Sequence, residues 1–288
     1  MSRPSLPTRA DFLKASALAL SFPLLSRFDA QAKPLKNVGL QLYTLRDTIM
    51  KDPDGVLKQV AALGYKEVET FGFNEGKFFG KTPKDFKAYL TGLGMTTPSG
   101  HYMPNQLRSG WEKTVEAGAE AGQKYMVCAY LMPDERKKAD DYKQFAELFN
   151  KSAEVCKKAG IQFVYHNHDF EFQPVDGQLG YDILLKGTDP KLVKMELDLY
   201  WATIAGQDPV ALFKKNPGRF PLVHMKDMAK TEKREFAEVG TGSIDFQRII
   251  DARKIGGIQH FFVEQDVCKQ PPIEAIAVSF KNMEKLNF

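Results

Sequence analysis

Eight short runs rich in β-branched and aromatic residues alternate with longer amphipathic stretches over residues 33–288. That alternation predicts an α/β protein built as a single-domain (β/α)8 barrel. Two further observations agree. The length falls within the range of one α/β barrel, and no linker rich in Gly, Pro or Ser divides the chain. The doubly wound open sheet is the alternative, and the first run lacks the Gly-rich phosphate turn that would follow it there.

The runs, in order, are NVGLQLYTL from Asn37, KEVETFG from Lys66, MTTPSGHYM from Met95, YMVCAYLM from Tyr125, IQFVYHNH from Ile161, VKMELDLYW from Val193, FPLVHMKDM from Phe220 and HFFVEQD from His260. Helix punctuation separates them. Asp52-Pro53 supplies a cap and first turn before GVLKQVAAL, which Gly64 stops, and Thr82-Pro83 opens KDFKAYLTGL. AELFNKSAEVCKKAG ends at Gly160, and Asp208-Pro209 opens VALFKK. GFNEGKFFGKT and LMPDERKKADD are expected to be long loops on the active face.

Residues 1–32 have a different character. Arg3 and Arg9 precede an apolar stretch from Ala15 to Leu25, and Ala30-Gln31-Ala32 places small residues where a signal peptidase needs them. The segment reads as an export signal, too short in its apolar part to anchor in a bilayer. TRADFLK, from Thr8 to Lys14, is similar to the twin-arginine pattern with Ala10 in the place of the second arginine, so the route, Tat or Sec, stays open. The expected product is a soluble periplasmic domain, residues 33–288.

Composition excludes more than it assigns. Lys plus Arg exceed Asp plus Glu only by 40 to 36, a balance that favours no charged partner. Cys128, Cys156 and Cys268 are odd in number, scattered and without a C-x-x-C pair, so neither a disulfide framework nor a zinc knuckle is expected.

In a barrel of this type the chemistry sits at the C-terminal strand ends, where this chain concentrates polar residues. Alternation of side chains along a strand puts His166 with His168, Glu196 with Asp198, His224 with Lys226, and Glu264 with Asp266 on one inward face. Imidazoles and carboxylates converging from neighbouring strands suit a divalent cation, and His166, Asp198, His224 and Glu264 are the candidate ligands.

GLQLYTLRD, SGH, LDLYW, VHMKD, VGTGSIDF and FVEQD, taken in this order, resemble the xylose isomerase-like TIM barrel superfamily of sugar isomerases, epimerases and dehydratases. The resemblance covers the whole of residues 33–288. It implies a metal held by a Glu after strand five, an Asp after strand six, a His after strand seven and a Glu after strand eight. The last three fall on Asp198, His224 and Glu264, whereas His166 stands in place of the first. Imidazole there leaves two anionic ligands and favours Mn, Co or Zn over Mg.

The resemblance implies enolisation of a keto-sugar, with Glu264 as the base. Return of the proton makes an isomerase or epimerase. Loss of a β-oxygen, as in relatives resembling inosose dehydratase and the 3-keto-glycoside lyases, makes a lyase. His168, His101 or Lys226 would supply the acid, or Lys226 would instead neutralise Glu196. Glu69 is expected as a substrate or supporting ligand or as a loop cap. Tyr43, Phe71, Tyr102 and Trp201 could present flat surfaces to a sugar ring, and Asp169 and Glu171 are expected to face solvent. The only approach to a phosphate-binding glycine cluster is VGTG before Ser243.

Partner expectations follow from the same reading: a small-molecule sugar, no nucleic acid, no membrane insertion after processing, and self-association as an option. The chain's five histidines are too few for the trinuclear zinc site of the nuclease branch of the superfamily. A non-catalytic sugar-binding barrel is the remaining alternative.

Overall fold

The computed structural model describes residues 38–288, so the expected export signal at 1–32 lies outside the described residues. All eight expected strands form: β1 Val38–Gln41, β2 Glu67–Thr70, β3 Thr96–Tyr102, β4 Tyr125–Cys128, β5 Gln162–His166, β6 Val193–Asp198, β7 Leu222–Met225 and β8 His260–Val263. Every neighbour pairing is parallel, and β1 closes against β8 with Val38 opposite Phe261 and Leu40 opposite Val263. The sheet is a closed eight-stranded barrel. Among the described residues no helix is long and apolar enough to cross a membrane.

The helices start and stop where local chemistry dictates. The Asp52 carboxylate accepts the Gly55 N–H and caps α1 Pro53–Leu63, which ends at Gly64 with φ of 109°. Thr82 caps α2 Pro83–Gly92 in the same way. Then follow α3 Trp111–Ala121, α4 Ala139–Lys158, α5 Gly180–Gly187, α6 Pro209–Lys215, α7 Phe246–Asp251 and α8 Pro272–Met283. One expectation needs correction, because the loop predicted to run through ADD gives way to helix at Ala139. Asp141 draws the chain into its first turn by accepting the Lys137 and Lys138 N–H groups, and Asp176 accepts that of Ala139.

Alternation divides the strand residues into two cores. Outward residues such as Leu40, Val68, Met126, Phe163, Met195 and Phe261 pack under the helices in one continuous apolar cluster. Inward, Val127, Val164, Leu222 and Phe262 form a separate plug inside the barrel. Gly39 makes the plug possible, since a Cβ there would lie 2.7 Å from the Phe262 ring and 2.9 Å from the Glu67 carbonyl oxygen. With the lower barrel sealed by hydrocarbon, the next inward residues on every strand but β4, where Ala129 follows Val127, are polar and stack toward one mouth.

Gly39→Ala is expected to lose about 1–3 kcal/mol of stability through overpacking of the plug. Urea unfolding followed by tryptophan fluorescence measures it, and an unchanged midpoint would show that Phe262 yields freely.

Candidate active site

Above the apolar plug the barrel carries two polar storeys. The lower one is built around two fully buried carboxylates, Glu69 on β2 and Glu196 on β6. Glu69 accepts hydrogen bonds from Gln41 Nε2 at 2.7 Å and from the Ser99 hydroxyl, while His224 Nε2 lies 2.6 Å from its Oε2. Glu196 Oε2 lies 2.7 Å from His101 Nε2, 3.1 Å from His166 Nδ1 and 3.1 Å from His224 Nε2. His101 Nε2 also reaches Glu69 at 3.2 Å, so it joins the two acids.

The upper storey faces the mouth. His166 Nε2 lies 3.7 Å and His224 Nδ1 4.0 Å from Asp198 Oδ2, and His224 Nδ1 lies 2.6 Å from Glu264 Oε2. The Lys226 ammonium stands 3.1 Å from Asp198, 2.9 Å from Glu264, and 2.9 and 3.0 Å from the two oxygens of Asp266. Despite these approaches, Asp198 Oδ2, His224 Nδ1 and Glu264 Oε2 are buried and none makes a hydrogen bond of acceptable angle.

Burial and charge set the protonation states. Burial alone would lower the His224 imidazole, but Glu196, Glu264 and Glu69 overturn this and hold it well above its ordinary value. His101 is raised to about 9 against its burial by Glu69 and Glu196. His166, buried and surrounded by other cationic groups, is pushed well below its ordinary range, and burial with Lys226 lowers His168 to about 3. Burial raises Asp198 to about 6, with Lys226 opposing. Burial would likewise raise Glu264, but Lys226 and His224 prevail and hold its carboxyl well below the usual range.

Two groups of donor atoms are compact enough to hold an ion: His101, His166, Glu196 and His224 below, and Asp198, His224 and Glu264 above. The residues fit a dication. Glu69, Glu196, Asp198 and Glu264 bring four buried carboxylates, with half-buried Asp266 at the rim, against the single ammonium of Lys226. Asp198 Oδ2, His224 Nδ1 and Glu264 Oε2 in the upper group, and Glu196 Oε1 in the lower, are buried without a partner, a gap that an ion would fill. Imidazole and carboxylate donors suit transition metals.

The mouth opens into a cavity of about 760 Å³, lined among others by Tyr43, Phe71, Tyr130, His168, Lys226 and Glu264. Tyr43 meets Phe71 edge-on at 5.3 Å, and the Arg46 guanidinium covers the Tyr43 ring at 4.5 Å. His168 lies parallel to Phe170 and edge-on to Tyr130, and its Nδ1 has no partner.

Several expectations are corrected. Tyr102 follows inward-facing His101 and so points outward, where it packs against Trp111 and donates its hydroxyl hydrogen to Gln123. Trp201 is set back from the cavity and packs against the His168 ring at 5.5 Å. Glu69 caps no loop. Lys226 pairs with Asp198, Glu264 and Asp266, while Glu196 is taken by imidazoles. Glu171 is fully buried, accepting from the Tyr165 hydroxyl and the His168 N–H. VGTG is no phosphate cradle, because its Gly240 and Gly242 N–H groups donate to the Asp227 carboxylate at 2.9 and 2.8 Å. Arg46, Phe73 and Tyr130 line the mouth without having been singled out. A signal existed for Tyr130 and Phe73, which lie just past the ends of β4 at Cys128 and β2 at Thr70.

Comparison with known proteins agrees with this architecture. The profile of the xylose isomerase-like TIM barrel family matches residues 57–283, and the chain belongs to that family. A sugar phosphate isomerase/epimerase from Parabacteroides distasonis superposes with a TM-score of 0.77 at 30% identity, over 91% of this chain and 98% of that one. The IOLI protein, solved with a bound zinc atom, shares the fold at 15% identity and a TM-score of 0.69, over 87% of this chain and 97% of its own. Inosose dehydratase of Lacticaseibacillus casei is 25% identical over 154 residues, which is 47% of this chain and 51% of the dehydratase. The chain thus spans about half the length of the curated relatives it matches.

Burial lifts the Glu171 carboxyl from 4.5 to about 7, so its stabilising contribution is complete below 4.5 and lost as pH rises through 7. Glu171→Gln should therefore flatten the pH dependence of stability over that window, gaining ~2–4 kcal/mol relative to the parent at high pH. Urea midpoints measured from pH 4.5 to 8 test this, and parallel curves for the two proteins would refute it.

Proposed function

We propose that this chain is a divalent-metal-dependent enzyme that enolises a keto-sugar, working as an isomerase or epimerase. The observation carrying the reading is the convergence of Asp198 Oδ2, His224 Nδ1 and Glu264 Oε2, buried and without hydrogen bonds, beside an open cavity that Glu264 lines. His166 Nε2 lies beside them. These four residues would hold Mn, Co or Zn, and such an ion, when bound, would polarise a carbonyl and stabilise negative charge developing beside it.

The chain's own residues supply the remainder. Glu264, kept ionised by Lys226 and His224, is placed to take the α-proton. Lys226 offers positive charge at the same point, and Asp266 anchors it with both carboxylate oxygens. His168 stands on the segment after β5, three strands round the barrel from β8, with an unpartnered nitrogen available to a substrate hydroxyl. The aromatic edges of Tyr43 and Phe71 give a sugar ring apolar faces to lie against.

Elimination of a β-oxygen from the same enolate is the second reading, supported by the similarity to inosose dehydratase and by the replacement of a second carboxylate at strand five with His166. Loss of the oxygen then needs a proton donor near the leaving group, and His101, which lines the cavity and is kept protonated by Glu69 and Glu196, is the residue so placed, while neutral His168 can only orient the leaving oxygen.

Zn²⁺-loaded protein in D₂O with simple ketoses and a 3-keto-glucoside tests both readings by mass spectrometry and proton NMR. Deuterium should enter beside the carbonyl, and Glu264→Gln should slow its entry at least ~10²-fold. Chelation should abolish exchange and added Zn²⁺ restore it. An enone with a freed aglycone, lost in His101→Gln while exchange persists, would favour elimination. No exchange with any ketose would sink the enolisation reading.

A further inference from the structure

His166 and His224 each present one ring nitrogen to each storey, and they do so in opposite senses. His224 turns Nδ1 up toward Asp198 and Glu264 and Nε2 down to Glu69. His166 turns Nε2 up toward Asp198 and Nδ1 down to Glu196. A neutral imidazole carries one proton, so whichever nitrogen donates to a lower carboxylate leaves the other free as a lone-pair donor above.

We infer that Glu69 and Glu196 are positioning residues that fix these two imidazoles in opposite tautomers: His224 protonated at Nε2, and His166 protonated at Nδ1. The inference rests on the upper-storey metal placement proposed above. The lower carboxylates are suited to the task because they cannot swing away. Gln41 Nε2 and the Ser99 hydroxyl hold Glu69, and His101 ties Glu69 to Glu196. An ionised partner on the far nitrogen also makes the ligating nitrogen a stronger donor, and loss of such a partner lowers metal affinity about 10–100-fold.

The lower group of donors is itself compact enough for an ion, and geometry argues for the other role. His101 and His166 already hydrogen-bond to Glu196 Oε2, and His224 to Glu69, at 2.6–3.1 Å, leaving Glu196 Oε1 as the one partnerless carboxylate oxygen there, whereas in the upper storey Asp198 Oδ2, His224 Nδ1 and Glu264 Oε2 are all left without such bonds.

Two measurements on the full chain test this. Titration with Co²⁺, read by visible absorption, should show about 10–100-fold weaker binding in Glu69→Gln and in Glu196→Gln. Asp198→Asn should lose more, and near-UV circular dichroism should show all three variants folded. Independently of any variant, long-range ¹H–¹⁵N spectra of the Zn²⁺-loaded parent should show the proton on Nε2 of His224 and on Nδ1 of His166. Affinities within twofold of the parent for both Glu→Gln variants, or one tautomer shared by the two histidines, would overturn the inference while leaving the metal site standing. Co²⁺ absorption abolished by Glu196→Gln yet intact in Asp198→Asn would place the ion in the lower storey and overturn it also. A parent that binds no Co²⁺ would overturn the metal placement together with the inference.

Discussion

Four buried carboxylates, with half-buried Asp266 at the rim, face the single ammonium of Lys226 inside the barrel, and the rest of the interior is arranged around that imbalance. An isolated buried carboxylate costs far more than a domain's whole stability margin, so each must find a donor or a counter-charge. The histidines meet most of the demand. Two of them, His101 and His224, are pulled upward in basicity by the acids they touch, while His166 is held neutral among its cationic neighbours. Lys226 meets part of the remainder by standing among Asp198, Glu264 and Asp266. What remains uncompensated is concentrated in the upper storey, next to the cavity, which is where a cation and a polar substrate can reach it.

The barrel makes this arrangement affordable in structural terms by separating functions along each strand. Phe262 seals the interior, and the next inward residue on β8, Glu264, belongs to the site. On β5 the same step runs from Val164 to His166. The segment after β5 then leaves the sheet, and Glu171 folds back beneath it to hold the His168 backbone. Asn167 Oδ1 accepts the Asp198 N–H, tying this segment to β6. Polar residues that look costly in FVYHNHDFEF thus support one another and the neighbouring strand.

Much of this was legible in the chain itself. Strand number, strand order along the sequence and the inward set His166, Asp198, His224, Lys226 and Glu264 all follow from alternation and from helix caps such as Asp52 and Thr82. Tyr102 was readable too, since an inward His101 forces its neighbour outward. Other features depend on information that period-two patterning does not carry. The partner of Lys226 is decided by the stagger between β6, β7 and β8, and the ring nitrogen that His166 or His224 presents upward depends on side-chain rotation. Glu171 lies past the end of β5, where alternation stops, so no parity argument could place it inside.

The three thiols are all free. Burial pushes Cys156 up to about 12 and Cys268 to about 11, and drives Cys128 higher still. Thiolate is the species that oxidises and exchanges, so at neutral pH these groups are chemically quiet. The native fold neither requires a disulfide nor offers one. While folded, it can pass between reducing and oxidising surroundings with its thiols intact, a protection that burial supplies and that unfolding removes.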